Sequence, residues 1–76
     1  MSGRISDPAV YARAMAAWWR EERKHHPSAP ADVVKAASAA HRAVGGPHGT
    51  AEEIAERWDR TAFALMTDQA FEEIQR

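Results

Sequence analysis

Two breaks that contain proline divide this 76-residue chain into three segments, and this division limits the possible folds more than any other feature. The first break, residues 25–27, reads HHP, and the second, residues 45–47, reads GGP. Proline forces the preceding residue out of the helical region, and glycine supplies the left-handed conformation that ends many helices. No run of four or more residues alternates with the period of a β-strand. The sequence therefore predicts three helices joined by two turns.

Helix-capping residues locate the starts of the first and third segments. Asp7 followed by Pro8 is a typical helix start, because the carboxylate accepts an exposed backbone N–H and proline fits the first turn. Thr50 and Glu53 form the pattern of a capping box. The sequence predicts one all-α domain over residues 1–76, a small antiparallel three-helix bundle with helices at about 7–25, 30–44 and 50–66.

The spacing of apolar residues, at 100° per helical residue, predicts which faces are buried. On the first helix an apolar arc begins at Val10 and includes Met15 and Trp18, so we expect these side chains in the core and Trp19 at its rim. The second helix has a face of small residues flanked by His41. Neighbouring helices approach closely over such a face, and large aromatic side chains elsewhere then fill the gaps.

The third segment changes its apolar side along its length. Its first half carries a stripe that includes Ile54 and Trp58, and we expect Trp58 in the core. Phe63, Phe71 and Ile74 lie on nearly the opposite side. Either the chain breaks near residue 67 and residues 67–76 form a short fourth helix, or the third helix extends over them. In the second case these three residues are candidates for self-association in a homodimer.

Composition limits the chemistry that the chain supports. Alanine accounts for 17 residues, which leaves little material for a deep enclosed pocket. Cysteine is absent, so disulfides and thiolate metal sites are excluded, and a reducing cytoplasm is the expected location. No apolar run reaches the ~20 residues that span a bilayer. Eight Arg, two Lys and many Ala are typical of a GC-rich genome, such as that of an actinobacterium or a phage.

The histidines and carboxylates do not form a pattern typical of a metal site or an active site. Two Glu-His pairs are spaced by four residues near position 25, but adjacent histidines point in different directions and the helix ends there. The acidic residues after Thr50 favour the positive end of a helix dipole and have arginines four residues later. We predict no metal, no cofactor and no catalysis.

A second hypothesis is a helix-turn-helix-like DNA-binding regulator. The stretch 50–65 resembles the first helix and turn of that motif at Ile54 and Trp58. Asp59, however, occupies the position where glycine is usual, and the would-be recognition helix from Thr61 has no base-reading side chain before Gln69. The pI of 6.4 is also far below the value above ~9 that is typical of nucleic-acid-binding domains.

The main functional hypothesis is a module that binds another protein. The net charge of −1 conceals a balance of +2 over residues 1–26 and −4 over residues 50–76. The first helix carries a basic stripe, and the acids near it, Glu21 and Glu22, lie only at its end. Beside the stripe is Trp19, which cannot enter the core together with its neighbour Trp18. We predict a regulator, inhibitor or accessory subunit, or a stabilising subunit of a larger complex, that binds an acidic protein surface. The predicted partner-binding residues are Arg13, Trp19, Arg20, Arg23 and Lys24.

Overall fold

The computed structural model describes the backbone of residues 5–21 and 23–75, and the side chains of these residues as far as Thr67. It contains three helices, α1 over Pro8–Arg20, α2 over Ala31–Ala43 and α3 over Ala51–Gln75. The described residues include no strand, so the prediction of an all-α three-helix bundle is confirmed. No described helix combines the length and the apolar character needed to cross a membrane.

Both predicted helix starts are present, and each has the expected capping hydrogen bonds. The Asp7 side chain accepts a hydrogen bond from the backbone N–H of Ala9 at 2.9 Å. At the start of α3 the N–H of Thr50 donates to Glu53 Oε1 at 2.9 Å, and the N–H of Glu53 donates to Thr50 Oγ1 at 3.2 Å. This reciprocal pair is the predicted capping box. Helix α2 differs, because it follows Pro30 and has no side-chain cap.

Glycine ends α2 as predicted. Gly45 has a φ of 98°, a left-handed conformation that costs glycine nothing. The N–H of Gly45 donates to the carbonyl of Arg42, and the N–H of Gly46 donates to the carbonyl of His41, each at 3.0 Å. These two bonds form a Schellman motif, which satisfies carbonyls that the helix end leaves without a partner.

Helix α1 is shorter than predicted. It ends at Arg20 rather than near residue 25, and Glu21 already has an extended backbone with a ψ of −158°. The predicted last turn, residues 21–25, contains no apolar side chain, so no packing stabilises a further helical turn. Arg23 then takes a positive φ of 57°, which turns the chain back toward α1.

Helix α3 runs without interruption through residue 67, which decides between the two alternatives for the end of the chain. The helix extends over residues 67–75, and no separate fourth helix forms there. It also passes through Asp59 without a turn. The helix-turn-helix interpretation of residues 50–65 is therefore wrong, since neither glycine nor proline lies between Ala51 and Gln75 to interrupt the helix.

The buried face of α1 includes Met15, as predicted, but it is shifted from the predicted arc toward Ala9, Ala12 and Ala16. Val10, which we expected in the core, is 51% exposed. Alanine side chains let the α1 backbone approach its neighbours closely, so burial follows the small residues and not only the large ones. The buried residues of α1 are Ala9, Tyr11, Ala12, Met15 and Ala16.

The centre of the core is Trp58, as predicted. Its side chain is 6% exposed and meets the ring of Tyr11 edge-on, with ring centroids 6.1 Å apart. On α2, the ring of His41 stacks against Trp58. The corresponding prediction for Trp18 is wrong, because Trp18 is only partly buried and packs against the edge of the core. It lies near the C-terminal end of α1, where the neighbouring helices cover less of its surface.

Candidate partner-binding surface

Arg20 forms ion pairs within the molecule. Its Nη2 lies 2.7 Å from Asp59 Oδ2, and its Nε lies 3.7 Å from Glu52 Oε1. The hydrogen bond to Asp59, followed by the charges of both acids, raises the pKa of Arg20. The expectation that acids lie only at the end of the basic stripe is therefore wrong, because the fold places two carboxylates of α3 beside it.

Arg13 lies on the same exposed side of α1, two turns before Arg20. Its Nη2 donates to the sulfur of Met66 at 3.8 Å, so its neighbour on α3 is apolar rather than acidic. These contacts place the C-terminal end of α1 beside the start of α3 and its middle beside Met66, as an antiparallel arrangement requires. The side of α1 that carries Arg13 and Arg20 therefore lies along the contact between α1 and α3, and we call this contact the seam.

Trp19 contacts other side chains near the end of α1. It is partly buried against the core, and its ring meets Trp18 edge-on at 5.4 Å. The guanidinium carbon of Arg23 lies 5.1 Å from the centroid of the Trp19 ring, within the range of a cation–π interaction. Of the five predicted residues, Arg13 and Arg20 therefore lie on the seam, and Trp19 and Arg23 are in contact near the end of α1. The fifth, Lys24, is exposed in the segment after α1.

An open groove of about 790 Å³ lies between α1 and the segment that follows it. The part of its lining that α1 provides is apolar, and residues that follow α1 add charged and polar side chains. The N–H of Ile5 donates to the carbonyl of Ser28 at 3.0 Å, which connects the chain before α1 to this segment. The lining residues are Ile5, Ala14, Ala17, Trp18, Glu21, Arg23, Lys24, His25, His26, Pro27 and Ser28.

Trp18 is the largest apolar side chain that lines this groove. Its ring meets the imidazole of His26 at 4.7 Å and an interplanar angle of 68°. The Nδ1 of His26 in turn donates to the carbonyl of Pro27 at 2.9 Å. Sequence reasoning did not find the groove, because it depends on how residues 23–28 fold back over α1. The available signal was a tryptophan at the end of a helix followed by a proline turn.

Among the described residues three large apolar side chains are exposed, and one of them, Phe63, is predicted for self-association. Phe63 is 68% exposed, Val10 is 51% exposed and Met66 is 37% exposed. Phe63 and Met66 lie one turn apart on α3. Phe71 and Ile74, the other two predicted residues, have side chains outside the described part of the structure.

The described residues include no group of three His, Asp or Glu side chains that could hold a metal ion. His41 lies in the core, whereas His25, His26 and His48 are exposed. No protein-family model, no curated protein and no solved structure matches this chain. The functional hypothesis consequently depends on the contacts and exposed surfaces described above.

Proposed function

We propose that this protein is a small non-catalytic helical module that binds another protein through the groove beside α1, as a regulator, inhibitor or accessory subunit in the cytoplasm. The observation that carries the proposal is the groove itself, an open volume of about 790 Å³ whose lining from α1 is apolar and includes Trp18. Water leaves such a surface when an apolar side chain of a partner enters it, and this desolvation provides affinity.

The charges at the groove favour an acidic partner. Among the described residues that line it, Arg23 and Lys24 are basic and Glu21 is acidic. Basic side chains at a binding surface raise the association rate of an acidic partner more than its affinity. The partner proposed here is a protein segment that presents carboxylates beside an apolar side chain.

Ala17 offers a direct way to test the groove. It is exposed and lines the groove, so Ala17→Glu adds bulk and negative charge there without disturbing the core. Ala36→Glu, on the exposed side of α2, is the matched control. Tagged wild-type protein and both variants are expressed in the native host, and co-purified proteins are identified by mass spectrometry. A partner should bind wild type and Ala36→Glu and be lost with Ala17→Glu.

The purified partner then allows a quantitative measurement. Ala17→Glu should weaken binding at least tenfold in calorimetry, while Arg23→Glu should mainly slow association and reduce its dependence on salt. Trp19 lies against Arg23 and does not line the groove, so Trp19→Ala should act as Arg23→Glu does and mainly slow association. A partner that binds Ala17→Glu as tightly as wild type contradicts the proposal.

We also propose weak self-association through the exposed side of α3. Phe63 and Met66, one turn apart on α3, would be covered by a second copy of the chain. Sedimentation of the wild type at several hundred micromolar should detect dimers, and Phe63→Glu should be monomeric. A wild type that remains monomeric at this concentration contradicts self-association.

The DNA-binding alternative stays a prediction. Helix α3 lacks the turn that first suggested it. Nucleic acid in the purified sample would support it.

A further inference from the structure

A histidine is buried in the centre of this small bundle, away from the proposed binding surface. His41 on α2 is 3% exposed. Its ring is parallel to that of Trp58 on α3 within 5°, with centroids 3.8 Å apart. Few titratable groups are buried so completely in small proteins, and a neutral imidazole is the form that stacks in an apolar site without a charge cost.

The hydrogen bonds around Thr61 identify the nitrogen that carries the proton. Thr61 Oγ1 donates its single hydrogen to the carbonyl of Arg57 at 2.8 Å. The same oxygen lies 3.2 Å from His41 Nδ1 and therefore acts as the acceptor of that contact. We assign His41 as the neutral tautomer with hydrogen on Nδ1, which leaves a lone pair on Nε2.

His41 Nε2 is buried and has no hydrogen-bond partner among the described residues. The turn after α2 covers it so closely that a Cβ atom on Gly46 would lie 2.2 Å from this nitrogen. A proton added to Nε2 would therefore be a buried donor without an acceptor, unless the turn moved away. Either outcome disfavours the charged ring in the native structure.

Arg57, a charged neighbour of the His41 ring, increases the free-energy cost of protonating it. Burial lowers the pKa of His41, and the positive charge of Arg57 lowers it further. Glu53, one turn before Arg57, is already bonded to Thr50, and Arg57 itself donates to the backbone carbonyl of His48. From α1, Tyr11 packs against the same Trp58, and burial raises the pKa of its phenol, so it stays neutral near pH 6.

We propose that His41 is an acid-sensitive contact between α2 and α3, whose protonation releases the end of α2 from Trp58. The direction in which stability changes with pH follows from the difference in pKa between the folded and unfolded states. Because the folded pKa lies below the unfolded value of 6.5, the unfolded chain takes up the proton first. The stabilisation is complete above pH 6.5 and is lost as the pH falls through the folded pKa. Within this window the equilibrium constant for unfolding should rise up to about tenfold per pH unit.

Nitrogen-15 NMR of the histidine rings in the full chain tests the assignment directly. We expect His41 to carry its hydrogen on Nδ1 at pH 7.5 and to titrate below pH 6.5. Detection of the Nε2–H tautomer, or a titration midpoint at or above pH 6.5, would overturn the proposal. This measurement uses the wild-type protein, so it decides the question even when a variant fails to fold.

Urea unfolding between pH 7.5 and pH 5.0 tests the consequence. The wild type and His48→Gln, a control at an exposed histidine, should both lose stability as the pH falls through this range. His41→Gln should have a flatter profile, because its side chain takes up no proton. A flat wild-type profile, or an equally steep profile for His41→Gln, would contradict the acid-sensitive contact.

Discussion

Helix α3 packs against its two partners in different ways. Against α1 it places Trp58 beside Tyr11, and Arg20 adds ion pairs to Asp59 and Glu52 at the surface. Against α2 it places Trp58 beneath the stacked ring of His41. The buried residues of α2 are Val33, Ala37 and His41.

This difference implies unequal tolerance of change. The contact between α1 and α3 has several large side chains that share its stabilisation. The contact of α2 depends on close approach over small residues and on one polar ring that stacks on Trp58. Helix α2 also starts without a side-chain cap, whereas α1 and α3 have one each. We therefore expect α2 to be the helix most easily displaced.

Substitution of Trp58 should have the largest effect, because this side chain belongs to both contacts. Trp58→Ala removes the ring that Tyr11 and His41 pack against, and it should cost about 3–5 kcal/mol of unfolding free energy. Urea unfolding followed by circular dichroism measures the loss. Trp18→Ala is the matched comparison and should cost clearly less, since Trp18 is only partly buried. Equal losses would mean that the core extends to the end of α1.

Gly46→Ala should disrupt the contact of α2 alone. The new Cβ would lie 2.2 Å from His41 Nε2, so the imidazole must leave its position on Trp58. We expect a loss of about 1–3 kcal/mol, typical of overpacking. The same substitution in a chain that already carries His41→Ala should cost much less, because the ring that collides is gone. Equal costs in the two backgrounds would locate the strain in the turn itself.

Arg20→Gln should have the smallest effect, because it removes ion pairs at the exposed edge of the α1–α3 contact. Exposed ion pairs contribute little, and salt weakens them further. The thermal midpoint should fall slightly at low salt and match the wild type in ~1 M salt, where the Debye length is about 3 Å. Arg42→Gln, on the exposed side of α2, is the control. A large loss that persists in high salt would mean that Arg20 stabilises the fold through packing.

The sequence by itself determined where α1 and α3 start and where α2 ends. Asp7 caps a residue two positions later, and Thr50 and Glu53 cap each other across three positions. Gly45, in its left-handed conformation, likewise bonds to Arg42, only three residues earlier. Because each of these interactions joins neighbours along the chain, a reader of the sequence sees both partners together. The presence of Trp58 in the core was also predictable, because it shares an apolar stripe with Ile54 on the first half of the third segment.

Only the tertiary structure decided which side of α1 is buried, how Arg20 is paired and what surrounds His41. His41 meets Thr61, which lies 20 residues later, and its environment also depends on the turn at Gly46. Arg20 meets Asp59 only because α1 and α3 are antiparallel in this register. Periodicity placed Val10 on the buried side of α1, but Val10 is exposed. Small side chains are buried instead, because they let two helix backbones approach closely. Contacts of this kind depend on relative helix position, which local patterns do not contain.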